Sequence, residues 1–154
     1  MIVDSNRASW IYLNGNVFPH DCETHFGDYV NVLARLEVAP PAGLVPDSVY
    51  WACAGEKVVG RISLRHVLNE HLREVGGHIG YIVAPSVRGQ GLATEMLRQL
   101  LELPRVRAIG CLLLTCDAEN WASEKTIIKN GGVFEKTLPA APNRSAKKHY
   151  WITL

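Results

Sequence analysis

The sequence lacks the features that would send a chain of this kind to a membrane, a nucleic acid or a structural metal. No uninterrupted apolar run approaches the roughly 20 residues that a membrane helix needs. Residues 1–6 carry Asp4 and no apolar segment, so nothing there resembles a signal peptide and the expected compartment is the cytoplasm. The net charge is only +1, and the densest basic stretch, residues 144–148, is short. A nucleic-acid groove needs clustered Lys and Arg to neutralise phosphates, so no nucleic acid and no membrane are expected as partners. The four cysteines, Cys22, Cys53, Cys111 and Cys116, form no Cys-x-x-Cys pair and read as buried free thiols. His20/His25 and His66/His71 each miss the i, i+4 spacing that would put both rings on one helical face. No metal is expected on that ligand spacing.

What is present is an ordinary globular composition, 47% hydrophobic and 20% charged over 154 residues. That length makes one domain, residues 1–154, with enough chain to bury a core. Residues 10–18 contain the turn signal Asn14-Gly15-Asn16, and 26–38 approximate a helical period. Residues 38–46 are broken by Pro40, Pro41 and Pro46. Strands are expected at 48–54 and 58–66 as a hairpin around Gly55, and at 78–84. Residues 68–75 remain ambiguous. A helix with a wide apolar stripe begins at Leu92 and is stopped by Pro104. Residues 111–116 are apolar on both faces, the pattern of a buried parallel strand. A second helix follows Asn120 and ends at Gly131, and two strands, 133–138 and 148–154, close the chain. This order predicts an α/β fold: a mixed, mostly antiparallel sheet with helices on both faces and one parallel strand–helix–strand crossover over 78–116.

The most informative segment runs from Tyr81 to Ala93. A strand ends, a glycine turn follows, and a helix begins. Successive N–H groups in such a turn converge on an anion, and the helix N-terminus adds unpaired donors and partial positive charge. Gly89 and Gly91 remove the Cβ atoms that would hold a diphosphate away, and Arg88 adds a permanent charge. No Gly-Lys-Ser/Thr is present, and the dinucleotide fingerprint would want glycine at Thr94. The plainer reading is a tight strand-to-helix turn and nothing more.

Arg88-x-x-Gly91-x-Ala93, after a strand ending in Val83-x-Pro85, resembles the acetyl-CoA signature of the GNAT acetyltransferase superfamily. Asn120-x-x-Ser123, on a helix that ends at Gly131, resembles that family's next block. The likeness spans residues 78–138, with the hairpin matching the preceding strands in order. It implies an N-acetyltransferase that moves an acetyl group from acetyl-CoA to a primary amine, on a small molecule or a peptide, by direct attack. Main-chain groups of Val83, Ala84 and Pro85 would then pair with the pantetheine arm like an added strand. Arg88, Gly89, Gln90, Gly91, Leu92 and Ala93 would hold the pyrophosphate. Asn120 would touch the cofactor by its amide with Ser123 nearby, although Asn120 equally suits a helix cap.

Transfer to an amine also needs a base for the amine and a proton for the leaving thiolate. His78 is the candidate base; it stands near the start of the strand where the family often has glutamate, and an imidazole titrates near neutrality. The family commonly places a tyrosine acid on the second helix, where this chain has Ile127. Tyr150 on the last strand is the candidate substitute, with core packing as the plainer alternative. The missing tyrosine also allows a second reading, a non-catalytic acyl-CoA sensor or scaffold. A homodimer is compatible with Trp10, Trp51, Trp121 and Trp151, which either a core or an interface would take.

Overall fold

The computed structural model describes residues 26–55 and 57–154. Cys22, His20, His25, Trp10 and the turn signal at 14–16 lie outside the described residues. Helix α1 (Phe26–Val38) buries Tyr29, Leu33 and Leu36 along one stripe. Asp28 in its first turn and Arg35 in its last complement the helix dipole. Strands β1 (Asp47–Ala54) and β2 (Lys57–Arg65) form the expected hairpin, and β3 (Ile79–Val83) pairs antiparallel along the other edge of β2. The ambiguous insertion before β3 contains a short helix, α2 (Glu70–Glu74), capped by the Asn69 side chain, which accepts from the Leu72 N–H at 2.9 Å.

A single 3-10 turn at Pro85–Val87 leads into α3 (Leu92–Glu102). Pro104 ends that helix as expected, then serves as the first residue of a short α4 (Pro104–Arg107), where its missing N–H costs nothing. Strand β4 (Cys111–Asp117), helix α5 (Trp121–Lys129), β5 (Val133–Leu138) and β6 (Lys147–Thr153) complete the chain. The strands make two three-stranded sheets, β1-β2-β3 and β4-β6-β5.

Period two in the strands gives each sheet two different faces. On the first sheet, Val49 and Trp51 pack against α1 in a small cluster. The opposite face belongs to the main core, where Ile62, Leu64, Ile79 and Val83 meet Met96, Leu97 and Leu100 of α3 and Ile127 of α5. Each such side chain contributes about 1.5–3 kcal/mol on burial. Helices therefore cover both faces, as expected. Of the three described cysteines only Cys116 is buried; Cys53 and Cys111 are exposed, because one ends the hairpin at a bulge and the other opens β4. Among the described residues no helix is long and apolar enough to cross a membrane.

The connection from β3 through α3 and α4 to β4 is present, but every ladder recorded is antiparallel. The doubly apolar β4 pairs with β6, not with a parallel neighbour. Leu112 and Leu114 enter the main core, and Leu113 is equally buried on the other face. One bridge joins β3 and β4, between Gly77, just before β3, and Leu114, midway along β4. There the His78 N–H donates to the Leu113 carbonyl at 2.7 Å. The Leu113 N–H donates back to His78 Nδ1 at 2.9 Å. An imidazole thus takes the place of the next ladder carbonyl, and no backbone pairing follows between the two strands.

Gly77 makes this junction possible. Its φ is +60°, and a Cβ there would run into the Leu113 carbonyl oxygen. Gly43 also has positive φ (+85°) but faces open space. Gly77→Ala is expected to cost about 3 kcal/mol, the sum of the left-handed penalty and overpacking against backbone. Gly43→Ala should cost only about 1 kcal/mol. Urea unfolding of the two variants side by side checks the difference.

Candidate functional site

At the carboxyl end of β3 the chain turns twice through the left-handed region, at Gly89 (φ +78°) and Gly91 (φ +80°), before α3 begins. A Cβ at either glycine would meet nothing within 4 Å, so the surface they form is open. The Arg88 N–H turns back to Pro85 O, and the first helical N–H with an acceptor is that of Glu95, to Gly91 O at 3.1 Å. Between them the N–H groups of Gly89, Gln90, Gly91, Leu92, Ala93 and Thr94 have no acceptor among the described residues. Six successive donors without an acceptor among the described residues thus stand at the N-terminus of a helix, an arrangement suited to an anion. Arg88 sits on its rim and folds back, donating Nε to the Val83 carbonyl at 3.1 Å.

The strand leading into the cradle has an open edge. The Ala84 N–H donates to Val59 O, and the Arg65 N–H donates to His78 O. These two bonds fix the parity of the ladder, so the even-numbered residues of β3 spend their main-chain groups on β2. The main-chain groups of Ile79, Tyr81 and Val83 therefore face away from β2, toward β4, where no ladder forms. This shifts the expected pairing groups upstream. Ala84 is consumed internally, its N–H by Val59 O and its carbonyl by the Val87 N–H. Pro85 has no N–H, and its carbonyl accepts from Arg88. Of the expected trio only Val83 belongs to the open edge, and only by its N–H, since its carbonyl accepts from Arg88; Tyr81, which the motif does not contain, joins it.

Helix α5 forms the facing wall. Asn120 is its N-cap, with Oδ1 accepting from the Ser123 N–H at 3.0 Å. The cap uses only the amide oxygen and leaves Nδ2 without a partner among the described residues. The Ser123 hydroxyl lies 2.8 Å from the Tyr81 phenol, which also reaches the Ser123 carbonyl at 3.2 Å. This pair spans the space between the first sheet and α5. Burial pushes the Tyr81 hydroxyl up to about 12, against the opposing effect of its Ser123 hydrogen bond.

The two catalytic candidates are placed differently from what the sequence suggests. Tyr150 is buried, and its hydroxyl donates to Glu124 Oε1 at 2.5 Å, while Lys148 Nζ bonds both oxygens of that carboxylate at 2.9 Å. Burial and the Glu124 carboxylate both push the phenol of Tyr150 far above its ordinary value. The hydrogen bonds from Tyr150 and Lys148 hold Glu124 below the usual range. Lys148 also lies over the Trp121 ring, 4.9 Å from its centre. Sequence reasoning missed Glu124 and Lys148, since an i, i+4 helix pattern does not reveal a partner on a distant strand. Ile127 is buried in the main core, so α5 offers no phenol at that position.

His78 sits at the sheet junction with its Nδ1 accepting the Leu113 N–H. Burial pushes its pKa below the ordinary value, and the charges of Arg73 and Arg65 act in the same direction. A proton on Nδ1 would face the Leu113 N–H directly, so the contact selects the neutral ring with hydrogen on Nε2. Among the described residues, no group of three or more His, Cys, Asp or Glu side chains is arranged to hold a metal ion.

Comparison with solved structures finds the same fold in several acetyltransferases. The microcin C7 self-immunity acetyltransferase MccE, in complex with acetyl-CoA and AMP, superposes with a TM-score of 0.57 at 18% identity over 70% of this chain and 61% of its own. RimL, a ribosomal-protein alpha-N-acetyltransferase in complex with coenzyme A, gives 0.60 at 18% over 85% of this chain and 70% of its own. A mutant spermidine N-acetyltransferase SpeG from Vibrio cholerae gives 0.59 at 18% over 82% and 73%. The chain thus spans 61% of the length of the first of these. No curated protein matches it. At these identities the likeness establishes the fold. The model of the GNAT acetyltransferase domain matches residues 31–133, from α1 through α5 to the first residue of β5, and the chain belongs to the GNAT acetyltransferase family.

Proposed function

We propose that the chain is an N-acetyltransferase that binds acetyl-coenzyme A in the opening between its two sheets and passes the acetyl group to a primary amine. The observation that carries this reading is the run of N–H groups from Gly89 to Thr94 without an acceptor among the described residues, beside the edge of β3 that makes no ladder among them. A diphosphate fits the first, and an extended amide-bearing arm fits the second. When bound, coenzyme A supplies an acetyl group activated as a thioester. The chain's part is to hold and orient it. The amides of Gly89, Gln90, Gly91, Leu92 and Ala93 take the phosphates, with Arg88 as countercharge. Val83 and Tyr81 pair with the arm, and Asn120 Nδ2 and Ser123 stand on the opposite side.

No acyl-enzyme is needed. Burial raises the thiol of Cys116, the one buried cysteine described, and makes it a poor nucleophile. The acceptor is an amine on a small molecule or a peptide, a range that the polyamine and ribosomal-protein acetyltransferases among the solved relatives already cover. Residues 39–46, the insertion around α2, and the β5–β6 connection, which Arg144 ties to Glu74 at 3.0 Å, are the variable segments suited to selecting it. For His78 the reading assigns a holding role at the junction of the sheets, because its one lone pair is already engaged by Leu113.

A second reading, an acyl-CoA-binding domain without turnover, draws on the same two facts: the engaged ring of His78 and the buried Ile127. A panel of amines with acetyl-CoA, followed by the mass of the acetylated product, separates the two. Product with any amine supports the enzyme; coenzyme binding with no product across polyamines, amino acids and peptide N-termini supports the binding domain. Arg88→Glu and Gly91→Val should each weaken coenzyme A binding at least tenfold in calorimetric titration, the first by charge reversal and the second by strain at φ +80°. Unchanged affinity in both variants would remove the cradle assignment.

The pH dependence of stability tests His78. An imidazole in the unfolded chain titrates near about 6.5, and the folded site binds its proton less readily. The contribution is therefore complete above that pH and is lost as pH falls through the lower folded value. His78→Asn keeps an acceptor in the place of Nδ1, so it should retain the junction while losing part of this acid sensitivity. His78→Leu leaves the Leu113 N–H unpaired and should cost about 1–3 kcal/mol. If His78→Asn folds normally and abolishes turnover, the imidazole is the base after all.

A further inference from the structure

We infer that Tyr81, on β3, is the proton donor to the leaving sulfur, in place of the tyrosine that the α5 position now held by Ile127 does not supply. The inference rests on the coenzyme reading above and assigns a residue that its motif does not include.

Three observations converge on Tyr81. Its main-chain N–H and carbonyl belong to the open edge of β3, two residues before Val83, so the backbone of this residue lines the opening between the sheets. Its side chain lies on the α3–α5 face and carries the hydroxyl across to Ser123, at 2.8 Å from Oγ. The residue as a whole is partly exposed, while its hydroxyl is drawn out of water against the first turn of α5. Helix α5 presents Ser123 to this phenol, while Ile127, one turn further on, is packed in the core. The phenol therefore comes to the helix from the strand, and not from the helix to the opening.

The phenol of Tyr150, fully buried, is worse placed to give up a proton. Tyr150 donates into the Glu124 carboxylate at 2.5 Å, and its ionised form would set a phenolate against that negative charge. Tyr81 is hydrogen-bonded to a neutral hydroxyl and a carbonyl. Once the proton leaves, Ser123 Oγ can turn its own hydrogen toward the phenolate oxygen. The step balances without a further reagent. The amine nitrogen bonds to the carbonyl carbon, the carbon–sulfur bond breaks, and its electron pair goes to sulfur. Tyr81 delivers its hydroxyl proton to that sulfur, giving the free thiol and a phenolate. The proton shed by the nitrogen returns to the phenolate by way of solvent or the Ser123 hydroxyl.

The test is Tyr81→Phe in the full chain, read first without turnover. Coenzyme A is bound to wild type and variant, and the ionisation of its thiol is followed by the ultraviolet absorbance of the thiolate against pH, with desulfo-coenzyme A as the blank. A phenol that hydrogen-bonds the sulfur stabilises the thiolate, so the bound thiol of the variant should ionise about tenfold less readily than that of the wild type. Coenzyme affinity should stay within about threefold. With an amine found in the panel, kcat should fall about 100-fold at unchanged KM for acetyl-CoA. Replacing Tyr81 by fluorotyrosine, which keeps the ring and acidifies the hydroxyl, should move the thiol ionisation and the basic limb of kcat together. Coenzyme binding with thiol ionisation and kcat both unchanged in Tyr81→Phe would overturn the assignment alone. Failure of the wild type to bind coenzyme A would overturn it together with the site.

Discussion

The structure turns on a ladder that stops. Beyond the bridge between Gly77 and Leu114, β3 and β4 exchange no further backbone hydrogen bonds, although both are central to the core on their side-chain faces. Unpaired main-chain groups inside a protein are costly, of the order of 1–3 kcal/mol each, so a fold that leaves them open must meet them with water or with a ligand. The opening is held by two devices. Just before β3 the His78 ring substitutes for a strand and accepts the Leu113 N–H, which ends the pairing without orphaning the donor. Midway along β3 the Tyr81 phenol reaches Ser123 and ties the first sheet to α5. The main-chain groups of Tyr81 and the N–H of Val83 stay available on that edge among the described residues.

The cradle follows from the same economy. A helix always begins with N–H groups that its own turns cannot satisfy. In α2 the Asn69 side chain takes up the N–H of Leu72, and in α5 the Asn120 side chain takes up that of Ser123. In α3 the cap position is Gly91, which has no side chain to offer, and the residues before it are turned outward by two left-handed glycines. The contrast among three helices of one chain shows that α3 is left uncapped by the choice of residue. Glycine gives up the side-chain cap at a cost of only about a few tenths of a kcal/mol and leaves an open surface of donors.

Legibility in the sequence divides along the same line. Elements whose signal is local were readable: the α3 stripe, the hairpin around Gly55, the Asn120 cap, and the glycine turn with Arg88. What was not readable depends on partners far apart in the chain. The doubly apolar β4 reads as a parallel strand because composition reports burial on both faces and says nothing of which neighbour supplies the hydrogen bonds. Ladder parity, set by Ala84 to Val59 and Arg65 to His78, decides which residues of β3 face the opening, and a motif centred on Val83 and Pro85 carries no parity. Tyr81 lies inside the informative segment yet its role is invisible there, since its partner is 42 residues away.

Tyr150 and Glu124 show how the second sheet bears on the wall that carries Asn120 and Ser123. Glu124 accepts from Tyr150 and Lys148, both on β6, and Lys148 covers the ring of Trp121 at the start of α5. The Tyr150 and Lys148 bonds both run to one carboxylate, which hydrogen bonds of this charged kind hold in place. They fix the first two turns of α5 against the sheet, and those turns carry Asn120 and Ser123. The buried phenol of Tyr150 thus acts on the position of the facing wall, which in turn sets where Ser123 meets Tyr81. The geometry of the opening is accordingly decided from both sides: by the halted ladder on β3 and by the carboxylate that anchors α5 to β6.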